Sequence, residues 1–184
     1  MHLIVALLFL SLTIGTSFSL FGPKMAANKD GFPIIGEEKI MNKKSHGTSE
    51  NPVMKNLRWG CDWEKADKIV NFNRHWAEHA GYWEQTSFLQ EHDGTESITF
   101  FDASDGKPLF IWDPEIRSWD AFVAESKKHG WPSFRDKEVV WENVRVLKDG
   151  ETVSTTGSHL GHNLPDSTGN RYCINLVSVC GSPK

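Results

Sequence analysis

Residues 139–155 read VVWENVRVLKDGETVST. An alternating apolar and polar run reaches Lys148-Asp149-Gly150, and a second run, Glu151–Thr155, follows it. Asp-Gly between two such runs signals a β-hairpin, because glycine takes the positive φ that a tight turn needs. The arrangement recurs upstream, where Ile98–Phe101 and Leu109–Trp112 flank Ser104-Asp105-Gly106. Arg171–Val179 reads as a last strand. Two segments have helical spacing instead. In residues 62–80, Trp63, Ala66, Val70, Asn73, Trp76, Ala77 and Ala80 recur on one face, and Asp62 stands where a cap would. Ser118–Lys128 is the second, with Trp119, Phe122 and Val123 inward and Gly130 just past its end. The pattern predicts a mainly β (α+β) domain with peripheral helices over residues 58–184, without internal repeats.

Composition narrows the classes. Of 184 residues, 39% are apolar and 24% charged, which excludes wholesale disorder, collagen-like repeats and coiled coil. Three cysteines are too few for a disulfide scaffold. A net charge of −4 offers no basic face, so no nucleic-acid partner is expected. Eight tryptophans predict a core of large rings and an apolar ligand cradle. Residues 3–14 carry no charge and are followed by small polar residues, so 1–17 read as a signal or targeting segment into the secretory pathway. A membrane anchor is the alternative, and a cut before Phe18 resembles the two-part presequences of algae with complex plastids. Residues 18–57, mixed in charge and rich in Gly, Pro and Asn, read as a disordered or processed linker.

The last strand carries the reactive pattern. Side chains alternate along a strand, so Tyr172, Ile174 and Leu176 face a core while Arg171, Cys173 and Asn175 share the other side. A cation beside a thiol stabilises the thiolate, which is the nucleophilic form. Upstream lie Ser158-His159-Leu160-Gly161-His162 and then Asp166, which supply proton donors near neutral pH and a carboxylate to orient them. Gly130-Trp131-Pro132-Ser133-Phe134 offers two rings about a fixed proline to wall a small apolar pocket. His75-Trp76-Ala77-Glu78-His79 also fits H-x-x-E-H, which on a helix would suit a zinc peptidase, with packing histidines or a place on a site rim as the alternatives.

GWPSF, SHLGH followed by Asp166, and RYCIN, in this order within residues 95–179, resemble the methionine-R-sulfoxide reductases of the MsrB family. The resemblance implies two antiparallel sheets with helices outside. It implies that Cys173 is the nucleophile and His162 the proton donor to the sulfoxide oxygen. His159 would share the polar network, Asp166 would be the acidic partner, and Arg171 and Asn175 would belong to the same site. Trp131 would pack on the substrate methyl group, with Phe134 beside it. The implied reaction is thiol-dependent reduction of methionine-R-sulfoxide, free or in oxidised proteins and peptides, through a sulfenic acid on Cys173. An external reductant, thioredoxin-like or a small thiol, would restore the thiol, with no bound cofactor and a monomeric chain.

The sequence departs from that family in four places. Many members hold a structural zinc on two Cys-x-x-Cys pairs, but the matching stretches here are Phe101-Asp102-Ala103-Ser104 and Val153-Ser154-Thr155-Thr156, so no structural zinc is expected. Asp105–Phe110 resembles the zinc-free branch. His129 stands where the usual resolving cysteine does, which leaves Cys61 as the favoured resolver over Cys180. The loop from His162 to Cys173 is short, and Leu176 replaces a small residue. These departures motivate a second reading, a module that binds oxidised methionine without turnover.

Overall fold

The computed structural model describes residues 27–184. The segment read as signal or anchor lies outside the described residues. Among the described residues, seven strands form two antiparallel sheets. β1 (Ile98–Phe101) and β2 (Pro108–Trp112) make a two-stranded hairpin about the expected Ser104-Asp105-Gly106 turn. β3 (Ser133–Phe134), β4 (Val144–Val146), β5 (Glu151–Ser154), β6 (His159–Asn163) and β7 (Tyr172–Ile174) form a five-stranded sheet in the order β3-β7-β6-β5-β4. The helices are short and lie outside the sheets: α1 (Trp63–Asp67), α2 (Phe88–Glu91), α3 (Trp119–His129) and α4 (Leu176–Val179). Among the described residues no helix is long and apolar enough to cross a membrane.

Residue chemistry accounts for the helix ends. Asp62 caps α1 by accepting the Lys65 amide at 2.6 Å. Ser118 caps α3 by accepting the Ala121 amide at 3.3 Å, and Gly130 closes it in the left-handed conformation at φ 89°. A methyl group on Gly130 would also meet the Ala80 side chain at 2.7 Å, so both the turn and the packing require glycine.

Three expected elements are shorter in the structure. The helix over 62–80 runs only through α1 and one wider turn, Lys68–Phe72. Asn73 leaves helical geometry, and its side chain accepts the His75 amide at 3.3 Å, the local bond by which Asn competes with a helix. His75–His79 is therefore not helical, which removes the shared helical face that a zinc peptidase needs. The run from Val139 reaches the sheet only at β4, with Val139 making an isolated bridge to Phe110. The last strand stops at Ile174, and Asn175 turns the chain into α4.

Residues 27–57, the described part of the segment read as disordered or processed, lie against the domain. Ile35 bridges Val146 in parallel, Gly36 donates to the Val146 carbonyl and Val146 to that of Ile34, which covers the edge of β4. Met41 packs with Leu147 and Val153, and Val53 joins the main core.

That core is aromatic, as the tryptophan count predicts. Trp83 and Trp112 are fully buried, and Phe134 stacks on Phe110 at 4.5 Å and meets Phe100 edge-on at 4.9 Å. Phe134 thus belongs to the core and not to a substrate wall, which corrects the expectation from GWPSF. Its strand partner is Tyr172, whereas Ser133 pairs with Cys173, so the two residues of β3 face opposite sides. Phe134→Ala should cost about 3–5 kcal/mol in denaturant unfolding. Phe134→Leu should lower stability less and leave ligand affinity at Trp131 unchanged; a changed affinity would return Phe134 to the site.

Candidate active site

The register of the large sheet lines up one row of side chains. Cys173 pairs with Ser133 of β3 on one side and with His162 of β6 on the other, and His162 pairs in turn with Glu151 of β5. Residues directly opposite across antiparallel strands project to the same face. Hydroxyl, thiol, imidazole and carboxylate are therefore ordered across four strands. His159 joins the row through a bulge. Thr152 pairs with Gly161 but Val153 pairs with His159, so Leu160 is the extra residue. Without it, positions 159 and 162 would face opposite sides; with it, the two rings meet edge-on at 5.6 Å. Gly161 permits the close approach, because a methyl group there would sit 2.0 Å from the Cys173 carbonyl oxygen.

A cavity of about 300 Å³ opens over this row. Cys173, His162, Gly161 and Asn175 form its sheet side, Trp131 and Leu164 flank it, and His75-Trp76-Ala77 closes it from the loop after α1. Cys173 is half-buried, and the Arg171 guanidinium donates to its sulfur from a buried position. The Ser133 hydroxyl lies 3.9 Å from the same sulfur. Asn175 is fixed by donating to the Leu160 carbonyl at 3.1 Å, and Trp131 by donating its indole N–H to the Glu78 carbonyl at 3.0 Å. Of the expected residues, Cys173, His162, Asn175 and Trp131 line the cavity, Arg171 touches the sulfur, and His159 stands behind His162.

The acidic partner differs from the expectation. Asp166 does not reach the histidines. Its carboxylate takes both nitrogens of a forked pair from Arg135, at 3.2 and 2.9 Å, and lies 3.6 Å from Arg171 Nε. Arg135 holds it well below the usual carboxylate range. Glu151 fills the role instead. It is buried, accepts from His159 Nδ1 at 2.7 Å, and is gripped by Arg74 through Nε at 3.0 Å and Nη2. Burial works to raise its pKa, but the hydrogen bonds from His159 and Arg74 outweigh that and keep it below the ordinary value. Glu151 was legible only as a strand residue beside a turn. Leu164 is not among the expected site residues, and neither is Trp76, which is 53% exposed instead of lying on the inward face of a helix; His75 takes the place on the site rim that the H-x-x-E-H string left open.

Cys61 does not line the cavity with Cys173. It is buried in the core beside Cys180, and that neighbour together with burial pushes its thiol up. Cys180 is likewise not further along Cys173's strand, because α4 intervenes. The two stretches that match the family's zinc-binding pairs lie side by side. Ser158 donates to Asp102 at 2.9 Å and Thr156 to Asp105 at 2.8 Å. Among the described residues, no group of three or more His, Cys, Asp or Glu is set to hold a metal ion.

The fold and site define a mainly β domain that presents a single thiol, beside an arginine and a histidine pair, to a small apolar cavity. Sequence comparison supplies the relatives. The chain is similar to peptide methionine sulfoxide reductase MsrB of Methanosarcina mazei, 43% identical over 88 residues that cover 42% of this chain and 56% of the relative. The protein of the same name from Leifsonia xyli is 40% identical over 67 residues, 30% of this chain and 48% of the relative. That of Methanosarcina barkeri is 36% identical over 88 residues, 42% of this chain and 55% of the relative. These matches relate the chain to the MsrB family, as its three motifs imply, and it spans about half the length of the curated relatives it matches. No family model and no solved structure matches.

His162 is held below the ordinary histidine value, first by burial and then by the neighbouring His159 ring. Its imidazolium is therefore lost at lower pH than that of a free histidine. An NMR titration should give a His162 midpoint below 6.5, and His159→Gln should raise that midpoint by removing the neighbouring imidazole. A midpoint unmoved by His159→Gln would mean that the two rings are not coupled.

Proposed function

We propose that this chain reduces methionine-R-sulfoxide to methionine, free or within oxidised proteins and peptides. The observation that carries the reading is the meeting of Cys173, Arg171, His162 and Trp131 at one cavity. The Cys173 sulfur attacks the sulfoxide sulfur, with Arg171 stabilising negative charge on the nucleophile. As the S–O bond weakens, the oxygen gains charge and takes a proton from His162, which Glu151 supports through His159. The adduct holds a Cys173–methionine S–S bond with the hydroxyl still on the methionine sulfur. The hydroxyl then transfers to the Cys173 sulfur as the S–S and S–O bonds to methionine break, which releases the thioether as methionine and leaves Cys173 as a sulfenic acid. One external thiol condenses with that group to form a mixed disulfide and water. A second thiol then releases the Cys173 thiol and a disulfide. The electrons thus come from a thioredoxin-like or small thiol and need no bound cofactor.

Regeneration through an external thiol is favoured over Cys61 because Cys61 is buried against Cys180. The apolar rings of Trp131 and Trp76 suit the thioether methyl group and provide the asymmetry that R-selectivity needs. With residues 1–17 as a targeting segment, repair takes place after entry into the secretory pathway. The retained thiol, acid and carboxylate favour turnover over mere binding of oxidised methionine.

With dithiothreitol and separate diastereomers, wild type should reduce the R form only, and Cys173→Ser neither. His162→Gln should lower the single-turnover rate by about 10²–10⁴-fold. Reduction of the S form alone, or an active Cys173→Ser variant, would overturn the reading. Cys61→Ser should keep its turnover with thioredoxin as well as with dithiothreitol; selective loss with thioredoxin would return Cys61 to the cycle.

A further inference from the structure

Glu78, the acid of the H-x-x-E-H string, sits where no metal chemistry calls for it. It is 2% exposed, on a loop that leaves α1 and passes over the cavity. Four hydrogen bonds converge on this residue. Its carboxylate accepts the Leu176 amide at 2.8 Å and the Val177 amide at 3.1 Å, the first turn of α4. Its own amide donates to Asn175 Oδ1 at 3.0 Å. Its carbonyl accepts the Trp131 indole N–H at 3.0 Å. Asn175 and Trp131 both line the cavity, and Leu176 follows Cys173 by three residues. Side chain and backbone of one residue therefore join the segment after the nucleophile, the amide beside it and the indole wall opposite.

We infer that Glu78 is the positioning residue of this site, fixing the spacing between the Cys173 segment and the Trp131 wall without touching substrate. The carboxylate pins residue 78 to α4, and the pinned backbone then fixes Asn175 and Trp131 together. The anchor is kept at an electrostatic cost: burial pushes the Glu78 carboxyl up to about 8, against the pull of the two amides. A costly buried acid bonded to two residues of a cavity wall is the kind of local conflict that folds retain for a function. The same loop carries His75, Trp76 and Ala77, so losing the anchor frees one whole side of the cavity.

The inference rests on the proposed reductase activity for its kinetic readout but not for its structural one. Glu78→Ala removes both acceptors and Glu78→Gln keeps one. Asp67→Asn is the control, because Asp67 is a buried carboxylate that holds His46, Val53 and Asn71 away from the cavity. At a temperature where all variants are folded by circular dichroism, Glu78→Ala should raise KM and lower kcat/KM by about a hundredfold, the cost of an ångström-scale misplacement. Glu78→Gln should fall between Glu78→Ala and wild type, and Asp67→Asn should keep wild-type kinetics despite a lower Tm. NMR hydrogen exchange should speed up at the Leu176 and Val177 amides and at the Trp131 indole in the Glu78 variants alone. If Glu78→Ala does not fold, Glu78→Gln against Asp67→Asn decides by the same two readouts. Glu78 variants with control-like kinetics and unchanged exchange would overturn the inference. An inactive wild type would overturn the proposed function instead, and the exchange data would still decide whether Glu78 is the anchor.

Discussion

The pairing of β7 between β3 and β6 is the constraint on which the site depends. It sets Cys173 opposite Ser133 on one side and His162 on the other. Register in a sheet is all or nothing, since a slip of one residue sends every side chain to the other face. Such a slip would bury the thiol among Phe100, Phe110 and Phe134 and put Tyr172 at the cavity. The aromatic core therefore acts on the chemistry at a distance: it makes the correct register the only one that buries Tyr172, Ile174 and Phe134.

The polar side of the sheet is also organised from behind. Arg74, Glu151 and His159 form a chain of charge-assisted hydrogen bonds that ends at the back of His162. A buried carboxylate is tolerable only when its partners are in place. Glu151 has two, one from the loop after α1 and one from its neighbouring strand. That loop thus contributes twice, with Arg74 bonded behind the histidine pair and Glu78 bonded to the segment that follows Cys173. This double attachment explains why the helical spacing of residues 73–80 does not yield a helix: tertiary bonds to individual groups outweigh a weak local preference.

What could be read from the sequence follows from the range of the interactions involved. Both hairpins were legible because Asp-Gly dictates a turn locally. The caps of α1 and α3 were legible for the same reason. Cys173, His162, His159 and Trp131 stood out because their motifs are rare in combination. Glu151 did not, because its link to His159 depends on the bulge at Leu160, and a period-two reading has no place for an extra residue. The resemblance implies that Asp166 serves the histidines, whereas Arg135, 31 residues away in sequence, takes it. Phe134 was grouped with Trp131 because both are rings in one short motif, although only pairing with β7 reveals which side each faces. The association of Cys61 with Cys180 joins the two ends of the domain and leaves no local trace.

The seam between the β1–β2 turn and the β5–β6 turn is built from Asp102, Asp105, Thr156 and Ser158. Side-chain carboxylates and hydroxyls do not react with peroxide at ambient conditions. Hydrogen peroxide finds no thiol among these four side chains, while the same oxidant meets a half-buried cysteine sulfur at the cavity. Oxidant at these two turns would therefore leave their mutual hydrogen bonds in place, in contrast to the thiol of Cys173.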